Sequence, residues 1–107
     1  MFKLLADPTF EAPVAIPVAG GKSVEVPFTF KHRTKTQYAE WLDSLGKRKG
    51  KGAAGDLDTF LDMVVGWKID EEFNRENAAI LLEQRMGVAQ ATFDVYLTEL
   101  TKAREKN

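Results

Sequence analysis

The sequence predicts an α+β fold, an N-terminal antiparallel β-hairpin or small sheet followed by a bundle of about four helices. Three observations carry this expectation. Between residues 10 and 31 apolar side chains recur at every second position, the period of a strand that buries one face. From Thr34 onward the apolar spacing becomes i, i+3, i+4, i+7, the period of an amphipathic helix. Glycines and capping residues separate these runs at the places where elements should begin and end.

The hairpin is expected over 10–31. Val14, Ile16 and Val18 form one alternating run and Val24, Val26, Phe28 and Phe30 a second, with Gly20-Gly21 as the turn between them. All these apolar positions are even-numbered, so one face of each strand should be buried and the other wet. Pro13, Pro17 and Pro27 cannot donate to a ladder and are expected at edges or bulges, their nitrogens facing outward.

Four helices follow, at about 35–45, 57–65, 75–86 and 88–104. The first opens with Thr34-Lys35-Thr36-Gln37, the spacing of a capping box. Its apolar face is Tyr38, Trp41, Leu42 and Leu45, and Gly46 is placed to stop it in a left-handed conformation. Asp56 should cap the second, whose face is Leu57, Phe60, Leu61, Val64 and Val65. Asn74 should cap the third, with Ala78, Leu81 and Leu82 inward. The fourth should bury Ala89, Phe93, Tyr96, Leu97 and Leu100, with Lys102, Arg104 and Lys106 at the negative end of its dipole.

Residues 46–55 read GKRKGKGAAG, four glycines and four cations with almost nothing to bury, and are expected to be a flexible surface loop. A chain of 107 residues with 44% hydrophobic and 29% charged residues is expected to fold as a single domain, 1–107.

Composition narrows the chemistry. Fifteen Lys and Arg against 16 Asp and Glu give a formal net charge of −1, a poor match to a protein that neutralises phosphates over a broad surface. The absence of cysteine excludes a disulfide scaffold, a thiolate metal site and a cysteine nucleophile. The opening Phe2-Lys3-Leu4-Leu5-Ala6 meets Asp7-Pro8 at once, so no secretory signal is visible, and no run approaches the roughly 20 apolar residues that span a bilayer. The expected location is the bacterial cytoplasm, without a membrane partner.

No catalytic constellation emerges. His32, the one histidine, lies between Lys31 and Arg33 with no serine and acid spaced for a triad, and one imidazole cannot make a four-ligand zinc site. Asp56, Asp58 and Asp62 lack the glycine and terminal glutamate of a calcium loop. The basic run departs from a phosphate-binding loop, because three residues separate Gly46 from Gly50 and Lys51 precedes Gly52. The expectation is a non-enzyme with no catalytic residue, cofactor or metal.

Several strings resemble the small tail assembly chaperones of long-tailed bacteriophages and prophages. They are Phe2-Lys3-Leu4 with Asp7-Pro8-Thr9-Phe10, the strand Val24-Glu25-Val26-Pro27-Phe28-Thr29-Phe30-Lys31-His32-Arg33, the segment from Val64 to Asn74, and Tyr96-Leu97-Thr98-Glu99-Leu100 within 91–103. Most of the chain is covered, apart from the basic loop. The resemblance implies a non-enzymatic protein that binds the tape measure protein, helps recruit tail tube subunits, and is absent from the mature virion.

Trp41, Trp67, Ile69 and Phe73 are the candidate contact residues, since large aromatic anchors at helix ends suit a protein interface, although a core uses the same residues. Lys47, Arg48, Lys49 and Lys51 are the candidate cations for steering an acidic client. The alternative reading is a small nucleic-acid-binding regulator using that loop, although no aromatic residue lies between the cations to stack on bases. Self-association through the hairpin or the apolar connection at 67–70 is left open.

Overall fold

The computed structural model describes residues 2–48 and 56–101. Two ten-residue strands, β1 (Thr9–Val18) and β2 (Lys22–Lys31), pair antiparallel from Thr9 opposite Lys31 to Val18 opposite Lys22. Gly20 and Gly21 sit in the turn with φ of 90° and 75°, values that a side chain resists and glycine accepts. The alternation becomes burial: Ala12, Val14 and Ile16 of β1 and Phe28 and Phe30 of β2 lie in the core. Toward the hairpin tip the same face emerges into water, and Val24 is exposed.

Helix α1 (Lys35–Gly46) begins with the expected box. Gln37 N–H donates to Thr34 Oγ1 at 3.2 Å and Thr34 N–H donates to Gln37 Oε1 at 2.9 Å. Its other end departs from expectation. Gly46 is the last helical residue and has no positive φ, and Lys47 forms the cap at φ −98°. Glycine at a helix end is therefore not always the left-handed residue. The Lys47 amide closes the helix with a tighter turn, donating to the Leu45 and Ser44 carbonyls.

The second helix is shorter than the spacing predicts. Helix α2 covers Leu57–Met63, and Val64–Trp67 is strand β3. Leu57, Phe60, Leu61, Val64 and Val65 fit a helical face, but β2 has an unpaired edge and two β-branched valines suit a strand. Phe28 pairs with Trp67, Thr29 with Gly66 and Phe30 with Val64, so Val65 is the extra residue of a bulge. The sheet order is β1-β2-β3. Asp56 occupies the N-cap of α2, yet its side chain makes no capping bond.

Pro13 and Pro17 lie on the edge strand β1, but the third strand makes β2 central and the bulge falls at Thr29/Phe30, so Pro27 departs from the expectation of an edge or bulge position. His32 N–H donates to the Pro8 carbonyl at 2.9 Å, so even-numbered β2 residues form the hydrogen-bonded pairs with β1, and Pro13 faces Pro27 in a non-bonded pair. The Pro27 carbonyl instead accepts from Lys68 N–H at 3.1 Å on the β3 side. The ladder stops there because proline has no amide to return the bond.

Helix α3 (Arg75–Gln84) is capped by Asn74, whose Oδ1 accepts from Asn77 N–H at 2.7 Å. It ends two residues before the expected 86, and Gly87, at φ 92°, turns the chain into α4 (Val88–Thr101). The fully buried line of α4 is Val88, Thr92 and Tyr96, with Phe93, Leu97 and Leu100 partly buried beside it. Thr92 tolerates burial because its hydroxyl donates to the Val88 carbonyl at 2.7 Å. The last turn expected at 102–104, and Lys102, Arg104 and Lys106, lie outside the described residues.

The core lies between the even-numbered face of the sheet and α2, α3 and α4, with α4 running over β1. Phe28 and Phe60 meet edge to face at 6.0 Å between ring centroids, a favoured aromatic geometry. Helix α1 joins mainly through Trp41, which stands edge-on to Tyr96 at 5.3 Å and packs on Phe93 at 6.1 Å.

Candidate functional site

The two tryptophans have different surroundings. Trp41 is 7% exposed, its ring lies under the Arg33 guanidinium at 4.9 Å, and its indole N–H donates to Asp62 Oδ2 at 2.9 Å. Arg33 Nη1 donates to the Asp62 carbonyl at 2.8 Å and to the Tyr96 hydroxyl at 2.9 Å, while that hydroxyl donates to the Lys31 carbonyl at 2.8 Å. This network ties the end of β2, α1, α2 and α4 together. Burial raises the Tyr96 phenol pKa above its ordinary value, against the opposing pull of Arg33.

Trp67 stands at the surface. Its indole N–H donates to the Glu71 carbonyl at 2.8 Å, Phe73 meets it edge-on at 4.9 Å, and Phe28 lies behind it at 6.2 Å. The ring is thus fixed on three sides. On the remaining side Trp67 and Ile69 form one wall of an open groove of about 400 Å³, and α3 forms the other. Asn77, Ile80, Leu81 and Gln84 supply the α3 wall at i, i+3, i+4 and i+7, one helical face. Glu71 and Arg85 place one charge of each sign in the lining.

Of the four candidate aromatic and aliphatic contacts, the structure brings Trp67, Ile69 and Phe73 to this region and places Trp41 with the core residues Phe93 and Tyr96. Sequence reasoning missed Ile80, which is 53% exposed. The signal was present, since a large aliphatic side chain one position from the Leu81 line has no place on the inward face.

The candidate cations are partly committed. Lys47 pairs with Asp43 at 3.1 Å on the surface of α1. Arg48 Nη2 reaches Asp62 Oδ2 at 2.8 Å and Nη1 donates to Thr59 Oγ1, so this guanidinium fastens the end of α1 to α2. Lys49 and Lys51, with the rest of the loop expected to be flexible, lie outside the described residues. Arg75 bonds Asp58 at 2.8 Å, and this hydrogen bond with its charge holds the Asp58 carboxyl below its usual pKa.

Among the described residues no group of three His, Cys, Asp or Glu side chains could hold a metal ion, and no helix is long and apolar enough to cross a membrane. Exposed apolar side chains such as Ile80 beside a preformed groove mark an interaction surface on a small α+β protein. The family model for phage tail assembly chaperones matches residues 1–107, the whole chain, and the chain belongs to that family. No curated protein and no solved structure matches it.

Proposed function

We propose that this tail assembly chaperone binds the tape measure protein of its phage, shields that client's apolar helical segments from aggregation, and assists tail tube assembly by recruiting tube subunits. It does so without chemistry of its own, in the host cytoplasm, and leaves before the virion is complete. Family membership over the full chain supports the assembly role.

The observation that carries the binding mode is the groove between Trp67 and the Asn77–Gln84 face. Long apolar clients present side chains at i, i+3, i+4 and i+7, and an apolar groove flanked by a helix receives such a face. Trp67 is held by its N–H bond to Glu71 and by Phe73, so little side-chain freedom is lost when a client docks.

The test is co-expression of this chain with the tape measure protein encoded beside it. The client should become soluble and co-purify, and Ile80→Asp or Ile69→Asp should weaken capture by about tenfold or more, since each buries a charge against apolar client surface. Unchanged client solubility with no co-purification overturns the reading.

A further inference from the structure

A second cleft, also about 400 Å³, opens where the N-terminal arm, the end of β2 and the helices α1 and α4 come together. Leu4, Leu5, Tyr38 and Leu100 supply its apolar lining, and His32 and Lys35 its polar rim. Leu4 is 94% exposed, Leu5 80% and the adjoining Phe2 92%, a concentration of large apolar side chains in water that marks interaction surface.

The charge of this cleft is one-sided. Among the described residues no carboxylate lines it, although acids slightly outnumber bases in the chain, 16 to 15. Arg33, which also lines it, donates to the Asp62 backbone carbonyl and the Tyr96 hydroxyl and lies on the Trp41 ring, whose indole N–H donates to the nearby Asp62 carboxylate. Its positive charge is held in a fixed position without a hydrogen-bonded counterion among the described residues. Asp7, the one acid in the arm, is paired with Lys3. The Trp67 groove, in contrast, carries both Glu71 and Arg85.

We propose that this cleft docks a short amphipathic segment of a partner protein in which a carboxylate is flanked by apolar side chains. The carboxylate faces Lys35 and Arg33, and the apolar residues cover Leu4, Leu5 and Leu100. Cations set beside a concave apolar lining suit a peptide carboxylate flanked by apolar side chains better than the flat headgroup plane of an anionic membrane, which favours cations spread over an open surface. The proposal is independent of the Trp67 groove and of the identity of the client that fills it.

The probe is a fluorescein-labelled helical peptide of about 15 residues, with leucines at i, i+3, i+4 and i+7 and glutamates on one flank, titrated against the full chain. Its counterpart carries glutamine for glutamate, and phosphatidylglycerol vesicles form a third arm. The glutamate peptide should bind about tenfold more tightly than the glutamine peptide and weaken with salt. Lys35→Glu and Leu4→Ser should each weaken it by about tenfold, and Ile80→Asp should leave it unchanged. Lys35 and Leu4 are exposed, so both variants should keep the wild-type circular dichroism and urea midpoint. Equal affinity for the two peptides, no binding of either, loss of binding on Ile80→Asp, or tighter Lys35-dependent binding to the vesicles than to the peptide would each overturn the proposal. Because no tape measure protein is present, these outcomes leave the co-expression result standing or falling by itself.

Discussion

Asp62 Oδ2 accepts two hydrogen bonds, one from the Trp41 indole in the middle of α1 at 2.9 Å and one from Arg48 just past its C-terminal end at 2.8 Å. A single oxygen on α2 therefore holds a helix that otherwise approaches the rest of the molecule mainly through the Trp41 ring. Both charged side chains of the pair are 28% exposed, sheltered enough for the charge-assisted bond to exceed an ordinary surface ion pair.

Asp62→Ala leaves the buried Trp41 N–H and the Arg48 guanidinium without their acceptor and should destabilise the fold by about 2–3 kcal/mol in urea unfolding. Asp62→Asn keeps a carbonyl acceptor and should cost less. A change below about 0.5 kcal/mol for the alanine variant would show that α1 is held by packing alone.

Tyr96 lies at the centre of the aromatic core, its ring 5.6 Å from that of Phe30. Tyr96→Phe removes a hydroxyl that both accepts from Arg33 and donates to the Lys31 carbonyl, at an expected cost of about 1–2 kcal/mol.

The same hydroxyl gives stability a pH dependence. The folded phenol pKa is raised above 10.0, mainly by burial, so the folded state keeps a proton that the unfolded chain releases. The contribution is complete below the unfolded value near 10.0 and is lost as pH rises through the folded value. Urea midpoints should fall above about pH 10 in the wild type and fall less in Tyr96→Phe, and ultraviolet titration should show one tyrosine ionising late.

Phe28 joins three parts of the structure, meeting Phe30, Phe60 and Trp67 with centroids 6.3, 6.0 and 6.2 Å away. Phe28→Ala should cost about 3–5 kcal/mol, enough to leave a domain of this size largely unfolded, as circular dichroism would report.

Thr34→Ala removes the acceptor of the capping box while leaving the Gln37 arm, and should cost about 1 kcal/mol. Amide exchange should quicken first at Gln37, whose N–H loses its partner.

The Trp67 groove was legible only in part. Trp67, Ile69 and Phe73 stand out in the sequence as large residues in a short connection, but their partner wall on α3 depends on how that helix rolls against the core. Ala78, expected inward, is fully buried, and Ile80 two positions on is left exposed beside Leu81 on the groove wall. Trp41 illustrates the reverse: its chemistry suits an interface or a core equally, and the Asp62 acceptor on α2 determines which environment it occupies.

By itself the sequence determined the hairpin and its buried even-numbered face, the box that starts α1 and the Asn74 cap, because each depends on residues within a few positions of one another or on a strict alternation. Tertiary structure decided the fate of Val64–Trp67 and the phase of α4. The spacing from Leu57 to Val65 satisfies a helix and a helix-to-strand switch alike, and only the open edge of β2, distant in sequence, supplies the hydrogen bonds that select a strand. In α4, an apolar helix with several inward-capable faces, the Tyr96 hydroxyl meets Lys31 and Arg33, and that long-range contact turns Val88, Thr92 and Tyr96 toward the core.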